Sequence, residues 1–261
     1  MSTSPPTDLH SRCDLLRSLH RRGTPLLLPN AWDVATARAV VAAGFPVVAT
    51  TSGGVAAALG YEDHERAPAD EMLAAAARIA RGVEVPVTVD AEAGYGMEPT
   101  ELVAALRNTG AAGCNLEDTD HAAGGLREPD RHAEWLRAVR HAASKEGYPL
   151  VINARVDVFM AGFIAGAGPD TQAELVPQAL IRANAYFDAG VDCVYPIALS
   201  EADALRRFVA DARGPVNVLR LPHALSLAEL AELGVARVSW AILLYRDAIA
   251  RFGEQVASLQ E

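Results

Sequence analysis

The chain has 261 residues, 51% of them hydrophobic, with three cysteines and a formal net charge of −10. That composition supports a sizeable core and excludes a disordered chain, while the acidic balance and scattered basic residues argue against a nucleic-acid surface. Cys13, Cys114 and Cys193, widely spaced, odd in number and without a C-x-x-C pattern, suggest neither a zinc site nor a disulfide framework, no leader pattern opens the chain, and no run of about 18 apolar residues could cross a membrane, so a cytoplasmic protein without nucleic-acid or membrane partners is expected.

Residues 1–24 are expected to form an N-terminal extension with a helix. Beyond them the pattern alternates. Short β-branched runs predict strands at 26–29, 47–51, 87–90, 113–117, 150–155, 193–197, 216–219 and 237–240. The stretches between and after them predict helices at 34–43, 69–81, 100–108, 131–145, 171–188, 201–211, 227–233 and 242–259. Ala43-Gly44, Thr109-Gly110, Ala189-Gly190 and Leu233-Gly234 are helix-ending pairs, and prolines such as Pro46, Pro86 and Pro215 open strands. Eight alternations predict an α/β fold, a (β/α)8 TIM barrel, with residues 25–261 as its one catalytic domain. Pro29-Asn30-Ala31-Trp32 follows the first strand where a dinucleotide-binding fold would carry a glycine fingerprint.

A barrel of this kind works at the C-terminal ends of its strands, so the polar residues there are the candidates. The third strand ends in Asp90-Ala91-Glu92, which puts two carboxylates on one face of an extended chain, and the fourth ends in Glu117-Asp118 on the neighbouring strand. Carboxylates that close repel one another unless a proton or cation lies between them, and an all-oxygen set suits Mg2+, with Mn2+ as the alternative. Taken singly, each acid reads equally well as a helix cap or a solvated loop residue. Arg155 ends the fifth strand and can bind an anionic group through two parallel hydrogen bonds, or pair with Asp157.

Asp90-Ala91-Glu92-Ala93-Gly94-Tyr95-Gly96 resembles the D-x-D-x-G-Y-G signature of the isocitrate lyase and phosphoenolpyruvate mutase superfamily. Four further segments resemble that family in the same order: Thr51-Ser52-Gly53-Gly54, Gly60-Tyr61-Glu62-Asp63, Leu116-Glu117-Asp118 and Asn153-Ala154-Arg155-Val156-Asp157. The resemblance implies metal binding by Asp90, Glu92 and Glu117, with Asp63 behind them. It implies substrate binding by the Ser52-Gly53-Gly54 turn, Asn30 and Arg155, and a homo-oligomer, dimer or tetramer. The implied activity is that of a Mg2+-dependent lyase or decarboxylase acting on a small 2-oxo or 2-hydroxy dicarboxylic acid through a metal-bound enolate.

The chain departs from the family after the fourth strand. In place of a Lys-Lys-Cys-Gly-His loop stands Asp118-Thr119-Asp120-His121-Ala122-Ala123-Gly124-Gly125-Leu126, which has neither cysteine nor lysine. This argues against isocitrate or methylisocitrate cleavage and leaves His121 and Asp118 as the residues that could move a proton, although a lone loop histidine also reads as a solvated surface residue, and Gly124-Gly125 reads as the hinge of a lid or as a flexible turn. His64 and His223 also fall near strand ends, Cys114 reads as a small buried hydrophobe, and Ile197 stands where many family lyases have Glu. Two other readings stay open: hydrolysis or mutation of a phosphonopyruvate-like P–C bond, and a 2-oxo acid binding protein without turnover.

Overall fold

The computed structural model describes residues 8–166, 168–222 and 224–260, so the Ser/Pro/Thr-rich opening and His223 lie outside the described residues. Helix α1 (Leu9–Ser18) begins at Asp8, whose carboxylate accepts the Ser11 amide at 2.9 Å. Strand β1 (Leu26–Leu28) follows. Pro29, which has no N–H to donate, interrupts the ladder before β2 (Asn30–Ala31). Next come α2 (Val34–Ala42), capped reciprocally by Asp33 and Thr36, then β3 (Val48–Thr50), α3 (Ser52–Leu59), α4 (Ala69–Gly82) and β4 (Val87–Asp90). The middle of the chain supplies α5 (Pro99–Thr109), β5 (Gly113–Glu117), α6 (Pro129–Lys145), β6 (Val151–Arg155), α7 (Val158–Ile164) and α8 (Gln172–Asp188). The last elements are β7 (Cys193–Tyr195), α9 (Ala202–Asp211), β8 (Asn217–Leu219), α10 (Leu227–Glu232), β9 (Arg237–Ser239) and α11 (Leu243–Ser258).

All strand pairs are parallel. One sheet runs β2-β3-β4-β5-β6-β7 and the other β1-β9-β8. Two seams join them. β1 and β2 are halves of one barrel position, pairing with β9 on one side and β3 on the other. At the second seam Val194 bridges Val216, and its N–H donates to the Pro215 carbonyl at 3.0 Å. Among the described residues nine strands therefore occupy eight positions of a closed (β/α)8 barrel. Three elements were not expected: the two-residue β2, helix α7, and α3, whose first turn is the Ser52-Gly53-Gly54 segment read as a substrate-binding turn.

The hydrophobic core lies between the strands and the helices, where Leu116, Leu136, Val139, Ile152 and Phe208 are fully buried. The space enclosed by the strands is different. Asn115 on β5, Asn153 on β6, Asn217 on β8 and Arg237 on β9 contact one another, and side chains from strands that are not neighbours in the sheet can meet only inside the barrel. A barrel interior is usually packed with branched apolar side chains. The floor is closed by α1: Arg17 reaches Asp192 and the Pro149 and Leu150 carbonyls, and His20 just beyond the helix faces Arg237.

Two histidines, His132 fully buried and His20 half-buried, make the fold sensitive to acid. His132 on α6 lies between Trp135 and Tyr186, and neither ring nitrogen has a partner among the described residues. Burial, reinforced by Arg127 and Arg182, pushes its pKa down to about 3. Burial and the Arg237 charge lower His20 to about 4. Both rings stay neutral in the fold and protonate on unfolding, so their contribution is fully present above an ordinary histidine pKa of about 6.5 and is lost as pH falls from there toward the folded values. The urea midpoint should therefore drop between pH 7 and pH 5, and His132→Phe should flatten that drop. An unchanged pH slope in the variant would show that His132 is not one of its sources.

Candidate active site

The carboxylates gather at the C-terminal mouth because three strands end side by side. Asp90 is the last residue of β4. Its amide donates to the Thr50 hydroxyl at 2.9 Å, its Oδ2 accepts the Ser52 amide at 3.0 Å, and its Oδ1 faces the Asn115 side-chain amide at 3.4 Å. Ser52 thus carries the first turn of α3 onto the end of β4. The close approach requires glycine at the next positions. A Cβ on Gly53 would lie 2.6 Å from Asp63 Oδ2, and one on Gly54 would lie 2.7 Å from Thr51 Cγ2.

Glu92 follows in a left-handed conformation (φ 48°), as do Tyr95, His64 and Glu65 (φ 56°, 69° and 56°). Each such non-glycine residue costs about 1–3 kcal/mol and persists only where its surroundings hold it. Glu65 provides the hold. Its amide donates to Glu92 Oε2 at 2.6 Å, and its own carboxylate accepts the Ala93 and Tyr95 amides at 3.2 and 2.6 Å. Glu92 is buried, and burial pushes its pKa up to about 8; the Glu65 amide opposes the rise, while the charges of Asp90, Asp63 and Glu117 add to it.

Glu117, the last residue of β5, pairs with Arg155 Nη2 at the end of β6 and meets His121 Nε2 at 2.6 Å. Burial raises the Glu117 pKa against the pull of Arg155 and His121. For His121 burial alone would lower the pKa, but its hydrogen bond to the Glu117 carboxylate and the charges of Glu117, Glu65 and Glu92 leave it raised. Asp157 grips the Arg155 guanidinium from its other edge, Nε to Oδ1 at 2.6 Å and Nη2 to Oδ2 at 2.8 Å, and also accepts the Thr119 hydroxyl. Among the described residues no partner takes Nη1 of Arg155, which leaves that edge for an anionic ligand.

The candidates therefore divide. Asp90, Glu92, Glu117, Asp63, Ser52, Gly53, Gly54, Arg155 and His121 come together. His64 joins them, with its ring centroid 5.6 Å from that of His121. The side chains of Asp118 and Asn30 are engaged elsewhere. Strand alternation turns the Asp118 side chain outward, where it is fully buried, accepting the Asp157 amide at 2.9 Å, Arg182 at 3.0 Å and the Tyr186 hydroxyl at 2.6 Å. That geometry ties the end of β5 to α8. The Asn30 amide is spent on lacing strands, donating to the Thr50 carbonyl and accepting the Trp240 amide. Cys114 is fully buried, and burial pushes its thiol up to about 12.

The 119–126 segment is a tight hairpin held by its own bonds: Thr119 bridges Leu126, Asp120 N–H donates to the Gly125 carbonyl, and Asp120 Oδ1 accepts the Ala122 and Ala123 amides. Sequence reasoning missed Glu65, Arg182 and Tyr186. Glu65 sits in a run of charged loop residues, and the other two lie on a helix far along the chain, so only the folded geometry singles them out.

The donor set tests which metal the mouth could hold. Among the described residues no three acid, histidine or cysteine side chains converge tightly enough to cage an ion. Mg2+ normally keeps several waters and takes only one or two protein carboxylates, so a loose ring of acids suits it.

Residues 16–260 match the phosphoenolpyruvate phosphomutase family model. A 2-methylisocitrate lyase of Salmonella typhimurium is 30% identical over 217 residues, spanning 80% of this chain and 70% of that protein. An uncharacterised Mycobacterium tuberculosis protein is 38% identical over 222 residues, 85% of this chain and 79% of its own. A crystal structure of a candidate phosphonomutase from Burkholderia cenocepacia superposes with a TM-score of 0.87 at 40% identity, over 95% of this chain and 99% of that one. The chain belongs to the isocitrate lyase and phosphoenolpyruvate mutase superfamily, whose members are lyases, mutases and hydrolases.

The outward network yields a stability prediction. Arg182→Met removes one partner of the buried Asp118 carboxylate and should cost about 3–5 kcal/mol in urea unfolding, as breaking a buried ion pair does. A loss below about 1 kcal/mol, the range of exposed pairs, would mean that the network is not what fixes α8 to β5.

Proposed function

We propose that the protein is a Mg2+-dependent lyase or decarboxylase for a small 2-oxo or 2-hydroxy dicarboxylic acid. The observation that carries this reading is the ring of Asp90, Glu92, Glu117 and Asp63 set around the first turn of α3, with the Arg155 guanidinium at its edge. A bound Mg2+ would polarise the substrate's 2-oxo group and offset the charge that develops on its oxygen as the neighbouring bond breaks.

The chain's own residues supply the rest. The Gly53 and Gly54 amides precede the first intrahelical bond of α3, from Val55 N–H to the Thr51 carbonyl, and are suited to a substrate carboxylate. The Nη1 edge of Arg155 takes the second anionic group, its orientation fixed by Asp157. His121, held by Glu117 at the base of the hairpin, is the group that moves a proton. The far side of the mouth is apolar: Tyr195, Ile197 and Leu219 cluster there with Met160, Leu221 and Leu243 packed against them. That wall favours a substrate with an alkyl flank over one with a third carboxylate. The same wall, and the engagement of Arg155 by two carboxylates, disfavour a phosphonate substrate.

Incubation with Mg2+ and a panel of 2-oxo, 2-hydroxy and phosphono acids should release pyruvate, glyoxylate, another keto acid or CO2, and Asp90→Ala should abolish that release. Phosphate as the only product would replace this reading with P–C chemistry. Metal-dependent oxalate binding with no product from any acid would replace it with a binding protein.

We also infer a homo-oligomer. Helix α11 has no buried residue, and Ile249, Phe252, Val256 and Leu259, three or four apart, present an exposed apolar stripe. Light scattering should give a multiple of the 27.6 kDa chain mass, reduced toward the monomer by Phe252→Glu with Val256→Glu. A monomeric wild type would overturn this inference.

A further inference from the structure

Arg237 is the most unusual side chain in the barrel. It is 1% exposed, it lies at the start of β9 inside the ring of strands, and among the described residues no carboxylate pairs with it. Burying an unpaired guanidinium is costly, and a residue needed only to fill the floor would do so at lower desolvation cost as methionine or leucine.

The hydrogen bonds around it have one possible direction. Arginine only donates, and Arg237 Nη2 donates to Asn115 Oδ1 at 3.0 Å. Asn153 Nδ2 donates to the same oxygen at 2.9 Å and to Asn217 Oδ1 at 3.1 Å. Asn217 Nδ2 in turn donates to the Val218 carbonyl, which can only accept, at 3.0 Å. The amide chain is therefore anchored at one end by a pure donor and at the other by a pure acceptor, and no amide in it can be flipped. Asn115 Oδ1 is saturated, so its Nδ2 is the atom turned toward Asp90 Oδ1, the longest link at 3.4 Å. With the Ser52 amide on Oδ2, each Asp90 oxygen has one fixed donor behind it.

We propose that Arg237 is a positioning residue: through the Asn115 amide it sets the orientation of the Asp90 carboxylate for a divalent cation at the opposite end of the barrel. This rests on the reading of Asp90 as the acid that meets the cation. Groups that orient a ligand from behind govern metal affinity although they never touch the ion.

The test is Mn2+ binding to the substrate-free protein, followed by the electron paramagnetic resonance of free Mn2+. Arg237→Met and Asn115→Leu should each weaken binding about tenfold or more, the usual effect of losing such an orienting partner. Because both changes cut the same chain, the double variant should bind no worse than the weaker single variant. Arg237→Lys, which still donates, should stay close to wild type. A role confined to folding would lower the melting temperature without this pattern of affinities. Wild-type affinity in folded Arg237→Met, or additive losses in the double variant, would overturn the proposal. If Arg237→Met does not fold, Asn115→Leu decides, since wild-type affinity there would equally overturn it. Wild-type protein whose Mn2+ binding is absent or insensitive to Asp90→Ala would remove the reading of Asp90 and the proposal together, an outcome distinct from failure at Arg237 alone.

Discussion

Four acidic side chains at one barrel mouth repel one another, and much of the structure exists to hold them there. Glu92 feels Asp90, Asp63 and Glu117 in a buried setting that favours its protonated form. The chain answers with directed donors rather than with bulk solvent: the Ser52 amide for Asp90, the Glu65 amide for Glu92, and Arg155 and His121 for Glu117. A cation bound among them would relieve the same repulsion, which is the physical link between the fold and the proposed metal chemistry.

Around that centre the polar groups form two supports. The inner one runs through the barrel as the Arg237, Asn115, Asn153 and Asn217 chain and reaches Asp90 from below. The outer one runs from α8 through Arg182 and Tyr186 to Asp118, and from Asp118 to the Asp157 amide. Asp157 in turn grips Arg155. The two supports use alternate faces of the same strand, Asn115 and Glu117 inward and Asp118 outward, so β5 couples both to the mouth.

The hairpin after β5 contains neither cysteine nor lysine. Its ends are tied by the Thr119–Leu126 bridge and by Arg127 N–H to the Asp118 carbonyl, so His121 is presented from a defined turn. Opposite it, the apolar wall of Tyr195, Ile197 and Leu219 gives the mouth two chemically unlike sides, one ionic and one oily. A substrate with that same asymmetry fits both.

Periodicity alone made the eight strand positions and the main helices legible, with boundaries a residue or two from the observed ones, because βα alternation is written locally in β-branched runs, prolines and glycines. The acids at the mouth were legible because strand ends and the two-residue alternation of a strand fix where a side chain faces. What alternation could not foretell was how each side chain would be used. Asp118 is next to Glu117 in sequence but points to the opposite side of the sheet, and Asn30 is consumed by backbone groups of neighbouring strands. Glu65, Arg182 and Arg237 gain their roles from partners 27, 64 and 122 residues away. The sequence by itself determined the barrel, the acidic mouth and the family; the closing of strands into a ring decided which buried polar groups meet, since contacts across a barrel join residues that no local pattern connects.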